Sequence, residues 1–341
     1  MKLGLLPWLA SPCCGAPVRF ASLDSMPREK EDIPDGTLAC SSCARAYPIV
    51  SGVPRLGPSG RPEALVSRTS ASFTWEWSRH PEAGAEDMRV FLEECQLTAA
   101  DLKGKLVLDA GCGMGRYALA ALALGAEVVA VDLSESLARL IGAAQAEPRL
   151  HVVQGDLLRP PFKKGTFDLV YSHGVLHHTS DAHKAFLAVA GLVKPEGLLS
   201  VWLYGKAGRF ADFATNPLRS DRAWLGRHRR LAWAVVAARQ LVSDSLRAFT
   251  TRLPLFLTYM LCYPLALLGA LPGLKYLTFS VEPRFRLRLS ENFDWLSPPF
   301  QSHHTKEELR AWCAEAGCDV VKVLPHGLVP KPGVLARRRR G

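Results

Sequence analysis

At 341 residues the chain has room for one large domain with an appendage, or for two domains. Its 48% hydrophobic and 22% charged residues exclude global disorder, and the formal charge of +10 is modest but clustered late in the chain.

Met1 to Ala10 holds one Lys and a short apolar run broken by Pro7. Both the charged and the apolar part are too small for a signal peptide, so this segment is expected to be the first strand of an N-terminal module over 1–60, a region rich in Pro, Gly, Ser and Cys. Four of the nine cysteines (Cys13, Cys14, Cys40 and Cys43) fall in this module. The odd total fits no secreted disulfide framework and points to a reducing, cytoplasmic setting. Cys40-Ser-Ser-Cys43 has zinc-knuckle spacing, and zinc needs four ligands in a tetrahedron.

From residue 61 to 204 short apolar strands alternate with helical stretches. Lys105 to Asp109 is expected as a strand, Met114 to Leu124 as a helix closed by Gly125, and Glu127 to Val131 as the next strand. Ser134 is expected to cap a helix that turns Leu137, Leu140 and Ile141 inward. His151 to Gln154, Phe167 to Ser172 and Leu198 to Leu203 complete the series. Strands and helices in alternation imply an α/β fold with a mostly parallel sheet covered on both faces, its ligands beyond the carboxyl ends of the strands.

Asp109-Ala-Gly111-Cys-Gly113-Met-Gly115 lies between a strand and a helix, where glycines let backbone approach a ligand closely. The dinucleotide fingerprint needs a small residue where Arg116 stands, and no Gly-Lys-Ser/Thr follows for a P-loop. The loop resembles the first motif of class I S-adenosylmethionine-dependent methyltransferases. Asp132 ends the second strand and Asp156 follows the third, as that family's acids do, and Phe167-Asp168 through His177-His178 resembles its fourth motif in the small-molecule branch. The resemblance implies a Rossmann-like seven-stranded sheet and a pocket for S-adenosyl-L-methionine lined by Asp109, Gly111, Gly113, Gly115, Asp132, Leu133, Asp156, Leu157 and Ser172. In it Asp132 would accept from both ribose hydroxyls and Asp156 would sit by the adenine amine; a helix cap is the plain alternative for Asp132. The run from Cys40 to Pro54 resembles the zinc ribbon of the small activator subunit of tRNA methyltransferases. Ser11 stands where that family has its first cysteine, so Cys13 is the substitute ligand, or the ribbon has lost its metal.

Transfer from a sulfonium is an in-line displacement for which positioning supplies much of the rate. A base is needed only where the acceptor loses a proton, and His173 and His178 are the candidates; His177 sits where a packing role is common in this superfamily. Residues 205–300 form an insertion, expected as a helical cap. Ten cations from Lys206 to Arg252 meet only Asp212, Asp221 and Asp244, a pattern that suits an anionic partner or a solvated basic face. Leu231 to Val242 and the uncharged Leu253 to Leu274 are apolar. Peripheral membrane contact through 231–274, a cap over a greasy substrate and a dimer interface all fit. Pro254, Pro264, Pro272, Gly269 and Gly273 argue against one straight transmembrane helix. Residues 301–335 return to the methyltransferase pattern, with a capping box at Thr305 and Glu308 before a helix and a sixth strand at Cys318 to Val323.

The expected activity is methylation of a small or lipid-like acceptor at oxygen, carbon or nitrogen. One alternative is an RNA or protein methyltransferase; the fourth motif lacks the Asn/Asp-Pro-Pro-Tyr/Phe pattern of enzymes acting on base nitrogens, which weighs against nucleic acid. A non-catalytic cofactor-binding assembly protein is the other alternative.

Overall fold

The computed structural model describes residues 1–21, 32–43, 45–57, 63–79, 86–210, 227–276, 278–280, 282–324 and 331–340. Of the charged residues counted above between Lys206 and Arg252, Asp212, Arg219, Asp221 and Arg222 lie outside the described residues.

The N-terminal module is an antiparallel meander of β1 (Val18–Phe20), β2 (Gly36–Cys40), β3 (Ala46–Val50) and β4 (Val53–Leu56). The alternation of Tyr47 and Ile49 inward with Ala46, Pro48 and Val50 outward along β3 is that of a sheet with one wet face. The main sheet comprises β5 (Leu106–Ala110), β6 (Glu127–Asp132), β7 (Leu150–Gly155), β8 (Phe167–His173), β9 (Val193–Trp202), β10 (Cys318–Val323) and β11 (Gly333–Arg338). Strands β5, β6 and β7 are nearly continuous apolar runs because helices cover both faces. The order is β1-β2-β3-β4-β7-β6-β5-β8-β9-β11-β10, parallel from β4 through β9 and antiparallel beyond. The seven main strands thus form the Rossmann-like sheet that the resemblance implies, and the order reverses between β5 and β8, which opens a crevice at the carboxyl ends of the strands.

The module does not sit apart from this sheet. β4 pairs in parallel with β7, Arg55 opposite Gln154 and Leu56 opposite Gly155. Met1 to Ala10 forms no strand: Leu3–Trp8 is a 3-10 helix containing Pro7, whose ring cannot donate to a strand ladder. Leu5 and Leu9 are buried in the main core, and Lys2 Nζ donates to the carbonyls of Glu147 (2.9 Å) and Leu150 (2.8 Å).

The helices are α1 (Ala64–Arg79), α2 (Glu86–Cys95), α3 (Arg116–Ala123), α4 (Ile141–Ala146), α5 (Ala182–Ala190), α6 (Arg229–Thr250), α7 (Leu255–Leu268), α8 (Phe285–Leu296) and α9 (Lys306–Glu315). Ser134 does not cap a helix with its side chain: Glu135–Leu140 is a 3-10 turn, and the Ser134 hydroxyl turns back to Asp132. At α9 the capping box is complete, with Thr305 Oγ1 accepting from the Glu308 amide at 3.1 Å and Glu308 Oε2 accepting from the Thr305 amide at 2.8 Å.

The apolar run from Leu253 to Leu274 is helical only over Leu255–Leu268, bounded by Pro254 and Gly269 with Pro264 inside. Among the described residues no helix is long and apolar enough to cross a membrane. The inner side of α7 joins Tyr204, Phe279, Leu289, Phe293, Trp295 and Leu296 in a core of the insertion's own.

Candidate cofactor and acceptor site

The glycine loop closes tightly on its neighbours. Gly111 has φ 89° and Gly115 φ 88°; a Cβ on the first would lie 2.2 Å from Val175 Cγ1, and on the second 2.3 Å from Leu140 Cδ2. Only glycine meets both demands, left-handed backbone and no side chain. The amides of Gly111 and Cys112 both donate to the Val131 carbonyl, at 2.8 and 3.0 Å. α1 lies over this loop: a Cβ on Gly113 would come within 3.1 Å of Trp77 Nε1, and Arg139 Nη2 donates to the Ser78 carbonyl at 3.2 Å.

Three acids stand at the carboxyl ends of β5, β6 and β7. Asp109 is the penultimate residue of β5 and is buried, and its Oδ2 has no hydrogen-bond partner among the described residues. Burial pushes its carboxyl up to about 8, with the nearby Asp132 adding to the rise. Asp132 holds the loop together. Its Oδ2 accepts from the Gly113 amide at 2.8 Å, and its Oδ1 from the Ser134 amide and hydroxyl at 2.8 and 2.7 Å. Each carboxylate oxygen has two acceptor positions, so capacity remains. Asp156 is half-buried, with Oδ1 accepting from the Leu158 amide at 2.9 Å; Leu157 beside it is buried and Leu133 half-buried. Ser172 is fully buried and donates to the Ala110 carbonyl at 2.7 Å, so its hydroxyl ties β8 to β5.

The three histidines of the fourth motif part ways. His173 turns toward α2, with Nε2 2.9 Å from Ser200 Oγ and Nδ1 3.7 Å from Glu94 Oε2. Burial works against the Glu94 charge, but His173, Lys331 and the Tyr117 hydroxyl outweigh it and hold this carboxyl down at about 2. His177 is fully buried and stacks on Tyr204, centroids 3.9 Å apart, which is the packing role expected of it. His178 bonds the Phe300 carbonyl through Nδ1 at 2.9 Å, so that nitrogen carries the proton and Nε2 keeps its lone pair. Nε2 lies 3.6 Å from Asp294 Oδ1, and Tyr204 donates its phenol to Asp294 Oδ2. Phe73 of α1 closes over His178, ring centroids 5.0 Å apart.

Trp295 and His303 also come to this place: Trp295 stacks on Tyr204 at 5.1 Å, and His303 lies 5.9 Å from Trp295. Sequence reading misses Tyr204, Glu94 and Glu76. Glu76 is buried and accepts from the Ser290 hydroxyl; burial, with Asp294 and Glu291 nearby, raises its carboxyl far above the usual range. The one available signal was its place with Thr69 and Ser72 on a single stripe of α1.

Cys13, Cys14, Cys40 and Cys43 present their sulfurs within 4.8 Å of one another. Cys13 stands 2.9 Å from Cys43, and Cys14 3.4 Å from Cys40. Zinc–sulfur bonds of about 2.3 Å set tetrahedral edges of about 3.8 Å, so this donor set fits zinc after small shifts. Ser11 holds Tyr47 through its hydroxyl at 2.7 Å and leaves the corner to the adjacent cysteines. Backbone amides of Cys43 and Ser42 pull the Cys40 thiol down to about 6, while its thiol neighbours push Cys43 up to about 11.

Residues 108–201 match the family model of a methyltransferase domain, and residues 2–52 that of a Trm112p-like protein. An uncharacterized protein of Synechococcus is 30% identical over 187 residues, 52% of this chain and 39% of that protein. A ubiquinone biosynthesis O-methyltransferase of Bordetella avium is 36% identical over 37% of this chain and 50% of its own length. A malonyl-[acyl-carrier protein] O-methyltransferase of Methylovorus is 32% identical over 30% and 38%. The chain thus spans half or less of the length of these curated relatives. Among solved structures, the 1,6-didemethyltoxoflavin-N1-methyltransferase of Burkholderia thailandensis is 16% identical over 88% of this chain and 98% of that one, TM-score 0.47.

Proposed function

We propose that this chain, a class I methyltransferase domain carrying a Trm112p-like N-terminal module, methylates a small or lipid-like acceptor with S-adenosyl-L-methionine. Asp109 is the observation that carries the reading: a buried carboxyl oxygen with no hydrogen-bond donor among the described residues, beside a loop of left-handed glycines. An unsatisfied buried acceptor costs about 1–3 kcal/mol, which a cationic, donor-bearing ligand would recover. The domain division proposed is 1–60 for the ribbon-like module, 61–204 with 301–335 for the methyltransferase domain, and 205–300 for the cap.

In this reading Asp109 and the amides around Gly111, Gly113 and Gly115 hold the charged end of the cofactor. Asp132 with Leu133 takes the ribose, and Asp156 with Leu157 the adenine. The cofactor, when bound, supplies a methyl group on a sulfonium. The chain positions the acceptor and excludes water, with α1 as the roof over both the loop and His178. His178 Nε2 accepts a hydroxyl proton from the acceptor, and Asp294 steadies the imidazolium that results. His173 is a positioning residue, its ring fixed by Ser200 and Glu94. The cysteine cluster would hold Zn²⁺ as a structural metal.

Two cations of the basic stretch, Arg239 and Arg247, are buried beneath the insertion, which weakens the RNA reading. The outer face of the insertion supports contact with an anionic bilayer. Leu241 is 71% exposed, Phe249, Met260 and Leu267 are open as well, and Arg252 stands between the two helices in the chain.

Calorimetric titration with S-adenosyl-L-methionine, S-adenosylhomocysteine and NADH tests the assignment. Micromolar binding of both sulfur ligands without NADH is expected, and Asp132→Ala should weaken it about 10–100-fold. Absence of binding by either sulfur ligand overturns the reading and favours an assembly role.

A further inference from the structure

Helix α6 changes character along its length. Its inner stripe starts with the apolar Ala232 and Val236 but continues as Arg239, Ser243, Arg247, Thr250, while Leu231, Leu241, Val242, Leu246 and Phe249 are exposed to solvent. Such a stripe ordinarily faces the core with apolar groups. Part of the inner polarity is used in holding the fold. Arg247 Nη2 donates to the carbonyls of Pro298 (2.8 Å) and Pro299 (3.2 Å), and Thr250 donates to that of Leu296 (2.7 Å). The rest is not. Arg247 Nε and Ser243 Oγ, one turn apart, are buried with no hydrogen-bond partner among the described residues. On the returning segment the two amide atoms of Gln301 and the Nε2 of His303 are in the same state. Arg247 bonds the carbonyls of Pro298 and Pro299 and His178 that of Phe300, so the polar stripe of α6 packs against the segment that leads into Gln301 and His303, next to the proposed base.

Their chemistry is that of donors. A guanidinium keeps its charge and cannot accept; a hydroxyl and a carboxamide can each turn a hydrogen inward. Two acids lie close. Asp294 is occupied by Tyr204, and Asp244 sits largely exposed at the rim, 3.8 Å from Arg247 Nη1. We propose that Ser243, Arg247, Gln301 and His303 form a subsite for an oxyanion, a carboxylate or phosphate carried by the acceptor. The subsite would fix that group so that the rest of the acceptor extends toward His178. This rests on the methyl-transfer reading for the role of the ligand, though binding is measurable without it. The oxyanion has two sources, a free phosphorylated or carboxylated metabolite and the headgroup of an anionic amphiphile.

The test is titration of the full chain with decyl phosphate, decanol and decyltrimethylammonium below their micellar concentrations. Decyl phosphate is expected to bind at least about tenfold tighter than either of the others, and Ser243→Ala and Gln301→Leu to weaken it about tenfold with decanol unaffected. Arg247 also anchors the Pro298 and Pro299 carbonyls, so the Ser243 and Gln301 variants decide. Competition by inorganic phosphate would support the subsite and assign free metabolites; retained preference for decyl phosphate without such competition would support it and assign an amphiphile. Equal binding of decanol, or decyl phosphate binding unchanged in both variants, overturns the subsite. S-adenosylhomocysteine is titrated into the same preparation: its binding without any oxyanion preference defeats this inference alone, and the converse defeats methyl transfer alone.

Discussion

His178 Nε2 and Asp294 Oδ1 face each other 3.6 Å apart with no hydrogen between them, because the imidazole proton is held at Nδ1 on the Phe300 carbonyl. A lone pair set against a carboxylate is an arrangement completed by a donor, and an acceptor hydroxyl is one. Burial lowers the His178 value while Asp294 opposes the fall, so the ring stays neutral at pH values where a free histidine is half protonated. With a hydroxylated acceptor found by screening, His178→Gln is expected to lower kcat about 10²–10⁴-fold and to leave S-adenosylhomocysteine affinity intact. The wild-type rate should fall only below the ordinary histidine value near 6.5. A variant with undiminished kcat would remove His178 from proton transfer.

Asp109 gives a prediction in protons. Its carboxyl, raised to about 8 by burial, is largely protonated at pH 7 in the cofactor-free protein. A raised carboxyl contributes stability that is complete below its unfolded value near 3.9 and is lost as pH rises through about 8. Asp109→Asn should therefore flatten the decline in melting temperature between pH 5 and 9. Binding of the cationic cofactor at pH 7 should release close to one proton, read from titrations in buffers of different ionisation enthalpy, and the variant should release none. Equal proton release by both proteins would refute the placement of Asp109 against the charged ligand.

Much of this was legible in the sequence because it is local. Strand runs such as Leu106–Ala110 and Glu127–Asp132, the glycine spacing and the Thr305–Glu308 capping box are each written within a few residues. What was not legible depends on distant partners. Tyr204 and Asp294 are paired through folding of the insertion, Glu76 finds Ser290 across the same gap, and the polar inner stripe of α6 reads in sequence as a basic surface. Met1 to Ala10 misled because an apolar run that short does not distinguish a strand from a 3-10 turn.

The continuity of the sheet from the module into the domain predicts coupled unfolding. β4 pairs with β7, and Lys2 seals the carbonyls of Glu147 and Leu150, so loss of the module exposes an edge of the main sheet. Metal analysis is expected to find one zinc per chain, and Cys40→Ser to abolish it. Chelation should lower a single melting transition without splitting it in two. Two separate transitions would mean that the module and the domain unfold independently.

The outer face of α6 and α7 predicts attachment to membranes. Phe249, Met260 and Leu267 are 60%, 59% and 60% exposed, on helices with Arg252 between them. Apolar groups entering the headgroup boundary contribute about 0.8 kcal/mol per buried CH₂, and neighbouring cations add attraction to anionic lipid that salt screens. Sedimentation with phosphatidylglycerol vesicles should bring the chain down more at low salt than at high salt. Phosphatidylcholine vesicles should bring down less of it. Changing Phe249, Met260 and Leu267 together to Ser should weaken vesicle binding at least about tenfold while S-adenosylhomocysteine binding persists. If the wild-type protein ignores vesicles and sediments as a dimer that the triple variant dissociates, this face joins two copies of the chain.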